Sequence, residues 1–266
     1  MSGSKNRRPS VALVQRWIKD SLGQGEGVGY KPFMRVRDVP SHGLSSMVRS
    51  PVTGRTHHYL SKHEFAVHLL AEYAPRILDI REQYALLPWD ETQSIAAQLG
   101  IKHPIIPGTQ TPAVLTTDLL LSLKEPDGIR LVAVCVKLTN DLKPRTLEKL
   151  LLERLYWNRR GIQWFLATEK NLPLVRAQNL AFFENACRNT DVERCGVPPH
   201  DFATQFEDHW ASDRSYIQIL RSTCDVFGLD VTLGHKIVGA AVWKRQSRID
   251  IDSANLSHNA PVALRQ

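Results

Sequence analysis

Cysteine is scarce in this sequence and unpatterned. The four residues Cys135, Cys187, Cys195 and Cys224 form no CxxC pair and sit beside no paired histidine spacing, which argues against a structural zinc site and makes reduced thiols the expectation. No apolar run reaches the roughly 18 residues that a membrane span requires, so no membrane attachment is expected. The basic opening, Met1 to Pro9, has no apolar signal core behind it. The glycines Gly23, Gly25, Gly27 and Gly29 lack the Lys-Ser/Thr pair of a phosphate loop and follow no strand, so they are expected to form a flexible connector. There is no internal repeat and no low-complexity tract.

Charge is present but unevenly placed. Residues 1–60 hold ten Lys/Arg against three Asp/Glu, and the remainder balances, so the net +7 sits at the N-terminus. Such a segment, with Arg35, Arg37, Arg49, Arg55, His57 and His58, suits a phosphate backbone. The same residues would also serve as a solvated basic face.

The hydrophobic pattern then orders the chain. Val11–Leu22 has helical spacing, and residues 31–60 read as irregular with a turn at Pro51-Val52-Thr53-Gly54. Ser61 with Glu64 three residues on gives a capping-box start to a helix that stops before Pro75. Ile77–Gln83 reads as a strand, and residues 84–113, rich in proline, as a long loop with room for one short helix. Two strands, 114–123 and 130–137, flank the turn Glu125-Pro126-Asp127-Gly128, and a helix over 145–160 and a strand over 162–167 follow. This order predicts a mixed α/β sheet flanked by helices. After Lys170 the pattern changes to helices over 173–189, 214–227 and 231–244, an alternating strand over 248–252 and a frayed tail. Helix, turn, helix, strand is the order of a winged helix-turn-helix. The expected domains are therefore 1–170 and 171–266. In the second, Lys236, Lys244, Arg245 and Arg248 are candidate DNA contacts, although the absence of net positive charge there suits protein docking equally.

Two charged residues interrupt strands that otherwise read as buried: Asp118 and Lys137. A charge in such a place is costly unless paired or functional. Phosphodiester hydrolysis needs a metal to offset phosphate charge, an activated water and a stabilised leaving oxygen. Asp118 and Glu64 suit Mg²⁺, which favours carboxylates and water, and Lys137 suits orientation or deprotonation of the attacking water. Spacing alone leaves an ordinary ion pair open for Asp118 and Lys137, and a purely capping role open for Glu64.

Longer strings narrow the choice. Leu60-Ser61-Lys62-His63-Glu64, Leu78-Asp79-Ile80-Arg81-Glu82-Gln83, Gly100-Ile101-Lys102-His103-Pro104, Thr117-Asp118, Val136-Lys137, Arg145-Thr146-Leu147-Glu148-Lys149-Leu150 and Glu153-Arg154-Leu155-Tyr156-Trp157 occur in order. Together they resemble the TnsA family, endonuclease subunits of heteromeric cut-and-paste transposases, over about residues 20–170. The match is looser at Leu233-Gly234-His235-Lys236. The resemblance implies a restriction-endonuclease-like catalytic domain followed by a small, mostly α winged-helix-like domain. It implies Mg²⁺, with Mn²⁺ as a substitute, and nicking of the non-transferred strand at the 5′ side of transposon ends. The implied partners are transposon-end DNA, the DDE transposase TnsB and the AAA+ ATPase TnsC, in a bacterial cytoplasm. By position the resemblance assigns Glu64, Asp118 and Lys137 to catalysis, and Glu64, Asp118 and the Val136 carbonyl to the metal. One residue departs: Cys135 stands where the family usually has Gln, and a thiol is a soft, poor ligand for Mg²⁺. That departure keeps a weakly active or non-catalytic assembly factor in view, beside a stand-alone restriction-like nuclease. Glu153 is expected either as an outer carboxylate or, more simply, in a helix-surface ion pair with Lys149 or Arg154.

Overall fold

The computed structural model describes residues 10–36, 45–184 and 191–266. Met1 to Pro9, Arg37 and Cys187, named above, lie outside them. The chain divides into two compact units, 1–172 and 173–266.

The first unit is built on a four-stranded sheet in the order β3-β4-β5-β6. Strands β3 (Ile77–Ala85), β4 (Thr116–Glu125) and β5 (Gly128–Val136) are antiparallel, and β6 (Gln163–Ala167) runs parallel to β5. The crossover between β5 and β6 is helix α4 (Pro144–Asn158), which starts on Pro144, where a missing N–H costs nothing. Helices α2 (Lys62–Tyr73) and α3 (Trp89–Gln98) complete the layers, and α1 (Val11–Lys19) packs through Val14 against Ala85 and Val114. Consecutive β4 residues are buried because both faces of the sheet are covered. Leu119 and Leu121 pack with Val67, Ala71, Val134 and Val136, while Leu120 packs with Ala133, Leu152 and Trp157. Each buried Leu or Val side chain among these contributes about 1.5–3 kcal/mol.

Two expectations for the N-terminal sixty residues are corrected. Residues 46–59 are not irregular: β1 (Ser46–Arg49) and β2 (Thr56–Tyr59) form an antiparallel hairpin. Its alternation was hidden by polar residues that point inward. Arg55 and His57 are buried against Glu82, at 2.7 and 2.9 Å, so they are not part of a surface for a duplex. Burial pushes the His57 pKa down, and Glu82 is held down at about 2 although burial opposes this, because His57 and Arg55 donate to it. An ionised Glu82 only accepts, so His57 Nδ1 carries the proton and Nε2 accepts from the Thr53 hydroxyl at 2.7 Å.

The glycine segment is likewise no loose connector. Gly27 N–H donates to Asp79 Oδ2 at 2.8 Å, Ala85 N–H to the Gly23 carbonyl, Phe33 N–H to the Gln83 carbonyl, and the Tyr30 hydroxyl to the Glu82 carbonyl. Gly23 has φ +70°, and a Cβ there would collide with Ala85. The glycines let this backbone lie directly on β3.

The second unit is helical: α5 (Leu174–Phe182), α6 (Asp191–Arg194), α7 (Pro199–Asp208), α8 (Tyr216–Phe227) and α9 (Val231–Trp243). Helix α7 adds to the helices expected from the hydrophobic pattern: Pro199 begins it and Phe202 and Phe206 anchor it. Gly228, left-handed at φ 63°, ends α8, and Asp230 caps α9. The expected strand over 248–252 is absent among the described residues. Ile249 and Ile251 alternate inward, but only one bridge, Ile249 to Leu264, forms. The tail does not fray either: Tyr216 and Ile217 donate to the Ala260 and His258 carbonyls, and Val262 is buried. Among the described residues no single helix is long and apolar enough to cross a membrane.

Candidate active site

The sheet forks where β4 and β5 part. Their paired register runs from Glu125 opposite Gly128 back to Leu119 opposite Val134. One residue further, Asp118 turns its carboxylate into the gap. Its Oδ2 accepts from the Val136 amide at 2.7 Å and the Lys137 ammonium at 3.0 Å, with the Cys135 thiol 3.4 Å away. Lys137 Nζ also donates to the Val136 carbonyl at 2.8 Å. The ammonium thus bridges two hard oxygens, one anionic and one a backbone carbonyl.

Glu64 approaches on the first turn of α2. Ser61 caps that helix by accepting from Glu64 N–H at 3.1 Å, and its hydroxyl returns a bond to Glu64 Oε1 at 2.9 Å. Leu60 N–H donates to Glu64 Oε2. Burial and then the charge of Asp118 push the Glu64 pKa up to about 7, while the cap donors and Lys137 oppose the rise. Capping and proximity to Asp118 therefore coexist in one carboxylate.

Glu153 is a correction. It does not lie on the surface beside Lys149 or Arg154 but is buried, accepting from Thr117 Oγ1 at 2.8 Å and Trp164 Nε1 at 3.0 Å. Burial and Asp118 push its pKa up to about 7 as well. Burial alone would lower the Lys137 pKa, but Asp118 outweighs this and holds the ammonium above the ordinary lysine range. In this arrangement the ammonium is a hydrogen-bond donor to Asp118 Oδ2 and the Val136 carbonyl.

Residues 74–169 match the family described as TnsA-like endonuclease N terminal. That span contains Asp118 and Lys137 and starts after Glu64. Over 173 residues, 64% of its length, the chain is 45% identical to the Transposon Tn7 transposition protein TnsA of Escherichia coli. The central segment is similar to TnsA-like endonuclease domains. The matched stretch spans 62% of the length of that curated relative.

A TnsA-like nuclease implies a divalent metal, and the oxygen donors here fit one. Among the described residues no three His, Cys, Asp or Glu side chains gather into a metal cluster. The fork instead offers Asp118, the Val136 carbonyl and Glu64, all hard oxygens, and a positive charge already sits between the first two in the form of Lys137. Cys135 is buried, and burial and Asp118 push its thiol pKa up, so it is a protonated weak donor. The residue that sequence reasoning missed is Gln83. Its amide faces Asp118 Oδ1 at 3.5 Å, and its φ is +49° in mid-strand. It lay inside the string Asp79-Ile80-Arg81-Glu82-Gln83, which carried the family resemblance but read only as strand.

Proposed function

We propose that this chain is a divalent-metal-dependent DNA endonuclease subunit of a transposase, nicking the non-transferred strand at the 5′ side of transposon ends. The reading extends to its setting: transposon-end DNA as substrate, a DDE transposase of the TnsB kind and an AAA+ ATPase of the TnsC kind as partners, in a bacterial cytoplasm. The observation that carries it is the fork, where Asp118, Lys137 and the Val136 carbonyl meet in a TnsA-like domain.

In this reading Asp118, the Val136 carbonyl and Glu64 hold Mg²⁺, or Mn²⁺ in its place. When bound, the ion offsets the charge on the phosphate and acidifies a water. The protein's own residues do the rest. The Val136 amide fixes the Asp118 carboxylate, and the Ser61 cap fixes Glu64. Lys137 donates to the attacking water or a non-bridging phosphate oxygen, orienting one and neutralising the other. The water oxygen bonds to phosphorus and releases a proton to solvent, while the phosphorus–sugar oxygen bond breaks and the sugar oxygen takes a proton from solvent. The exposed Arg49 at the end of β1 and Lys62 at the start of α2 provide weak, salt-sensitive contacts to the phosphate backbone, while end recognition falls to the DDE partner.

The test is nicking of end DNA with both partner proteins and Mg²⁺. Loss of the nick with Asp118→Ala and Lys137→Ala supports the assignment; unaltered cutting by both rejects it. Cys135 sustains a second reading, an assembly factor joining the transposase to its ATPase, and intact transposition with Lys137→Ala would select it. Cleavage by the purified chain without partners would select a stand-alone nuclease.

A further inference from the structure

The two oxygens of Asp118 are held very differently. Oδ2 takes donors from Val136 and Lys137, with the Cys135 thiol alongside, whereas the contact on Oδ1 is the Gln83 carboxamide. Gln83 stands across from Asp118, between the paired residues Glu82–Leu119 and Tyr84–Thr117. It is 2% exposed. The Thr116 hydroxyl donates to Gln83 Oε1 at 3.0 Å, and because that oxygen only accepts, the bond turns the NH₂ group toward Asp118.

The backbone supplies an independent argument. Gln83 sits at φ +49° inside a nine-residue strand, a conformation that glycine adopts freely and that other residues adopt at a cost. Its carbonyl is turned outward to accept from Phe33 N–H at 3.1 Å. Glycine would satisfy that backbone. A long carboxamide at a strained position is explained by what its side chain does.

We propose that Gln83 is a positioning residue for Asp118, its carboxamide fixing the direction of Oδ1 so that this oxygen is aimed for metal coordination. The proposal rests on the reading of Asp118 as a metal ligand. Groups that orient a metal ligand typically carry about 10- to 100-fold of the metal's affinity.

The experiment is a Mn²⁺ titration of the full chain by calorimetry, with melting temperature followed in parallel. Four variants are compared with the parent. Gln83→Met keeps the bulk and removes the donor. Gln83→Gly removes the donor and relaxes the backbone. Thr116→Val frees the amide to rotate, and it carries the test should either change at 83 prevent folding. Asp118→Asn reports on the site itself. The expected result is abolished binding in Asp118→Asn, affinity about tenfold weaker in both Gln83 variants, and a smaller loss in Thr116→Val. Parental affinity in Gln83→Gly would assign position 83 a purely backbone role and overturn the proposal. So would affinity within about twofold of the parent in Gln83→Met, or in Thr116→Val where it stands alone, while Asp118→Asn fails to bind. Parental binding by Asp118→Asn would instead remove the site reading, and the proposal with it.

Discussion

The Lys137 ammonium lies 3.0 Å from Asp118 Oδ2 and 2.8 Å from the Val136 carbonyl, so a cation already occupies the place where the strands separate. A divalent ion bound to Asp118 and the Val136 carbonyl would add to folding stability by mass action, by about 2.7 kcal/mol at one hundred times its dissociation constant. Mg²⁺ or Mn²⁺ is therefore expected to raise the melting temperature of the parent by several degrees and to leave Asp118→Asn unmoved. Equal shifts in both proteins would place the ion elsewhere.

Glu153 makes a prediction with a defined pH window. Its pKa is pushed up to about 7 from an ordinary 4.5, so the folded state takes up a proton more readily than the unfolded chain. Below pH 4.5 both states are protonated and no cost arises; as pH rises toward 7 the ionised form penalises the fold, and above 7 the penalty is complete. Both hydrogen bonds to Glu153 end on Oε1, which glutamine retains. Glu153→Gln is expected to be more stable than the parent at pH 8, by about 2–3 kcal/mol, and to converge on it near pH 4.5. Urea melts at the two pH values decide this; an equal difference at both would separate the effect from ionisation.

Glu82 has the opposite sign. Its pKa is held down at about 2, so its stabilisation is present above pH 4.5 and is lost as pH falls through the interval toward 2. Removing the carboxylate strands Arg55 and the neutral His57 in the interior. Glu82→Ala is expected to lose about 3–5 kcal/mol at pH 7, and less in acid. Chemical denaturation across pH is the check, and a loss under about 1 kcal/mol at pH 7 would mean that the pair is dispensable.

Cys135 is expected to be chemically quiet. The residue is 2% exposed and its thiol pKa is pushed up, so an alkylating reagent should modify the native protein far more slowly than the unfolded one. In the reconstituted nicking reaction, Cys135→Ala should retain activity within about threefold of the parent, since it removes one weak donor of several on Oδ2. A loss beyond about tenfold would give the sulfur a part in aligning Asp118.

Much of this arrangement was legible in the sequence because its signals are local. The hairpin of β4 and β5 is announced by a four-residue turn between apolar runs, α4 by Leu150 and Leu155, and Asp118 and Lys137 by being charged where neighbours are not. What escaped reading depends on distant partners. Arg55 and His57 look like surface basic residues until Glu82 is found 25 to 27 positions away. Glu153 looks solvated until Thr117 and Trp164 close over it. The Gln83 conformation has no signal in residue type. The strand expected over 248–252 shows the reverse case, where alternation recorded burial of Ile249 and Ile251 but not a ladder.

The glycine segment has a mechanical consequence. Gly23, Gly27, Tyr30 and Phe33 are each tied to a different point along β3, between Asp79 and Ala85. Residues 23–33 therefore cannot lift away without tugging on the stretch of backbone that holds Gln83 opposite Asp118. Slow deuterium uptake should be shared by both segments and should accelerate in both when a single tether, such as the Tyr30 hydroxyl, is removed.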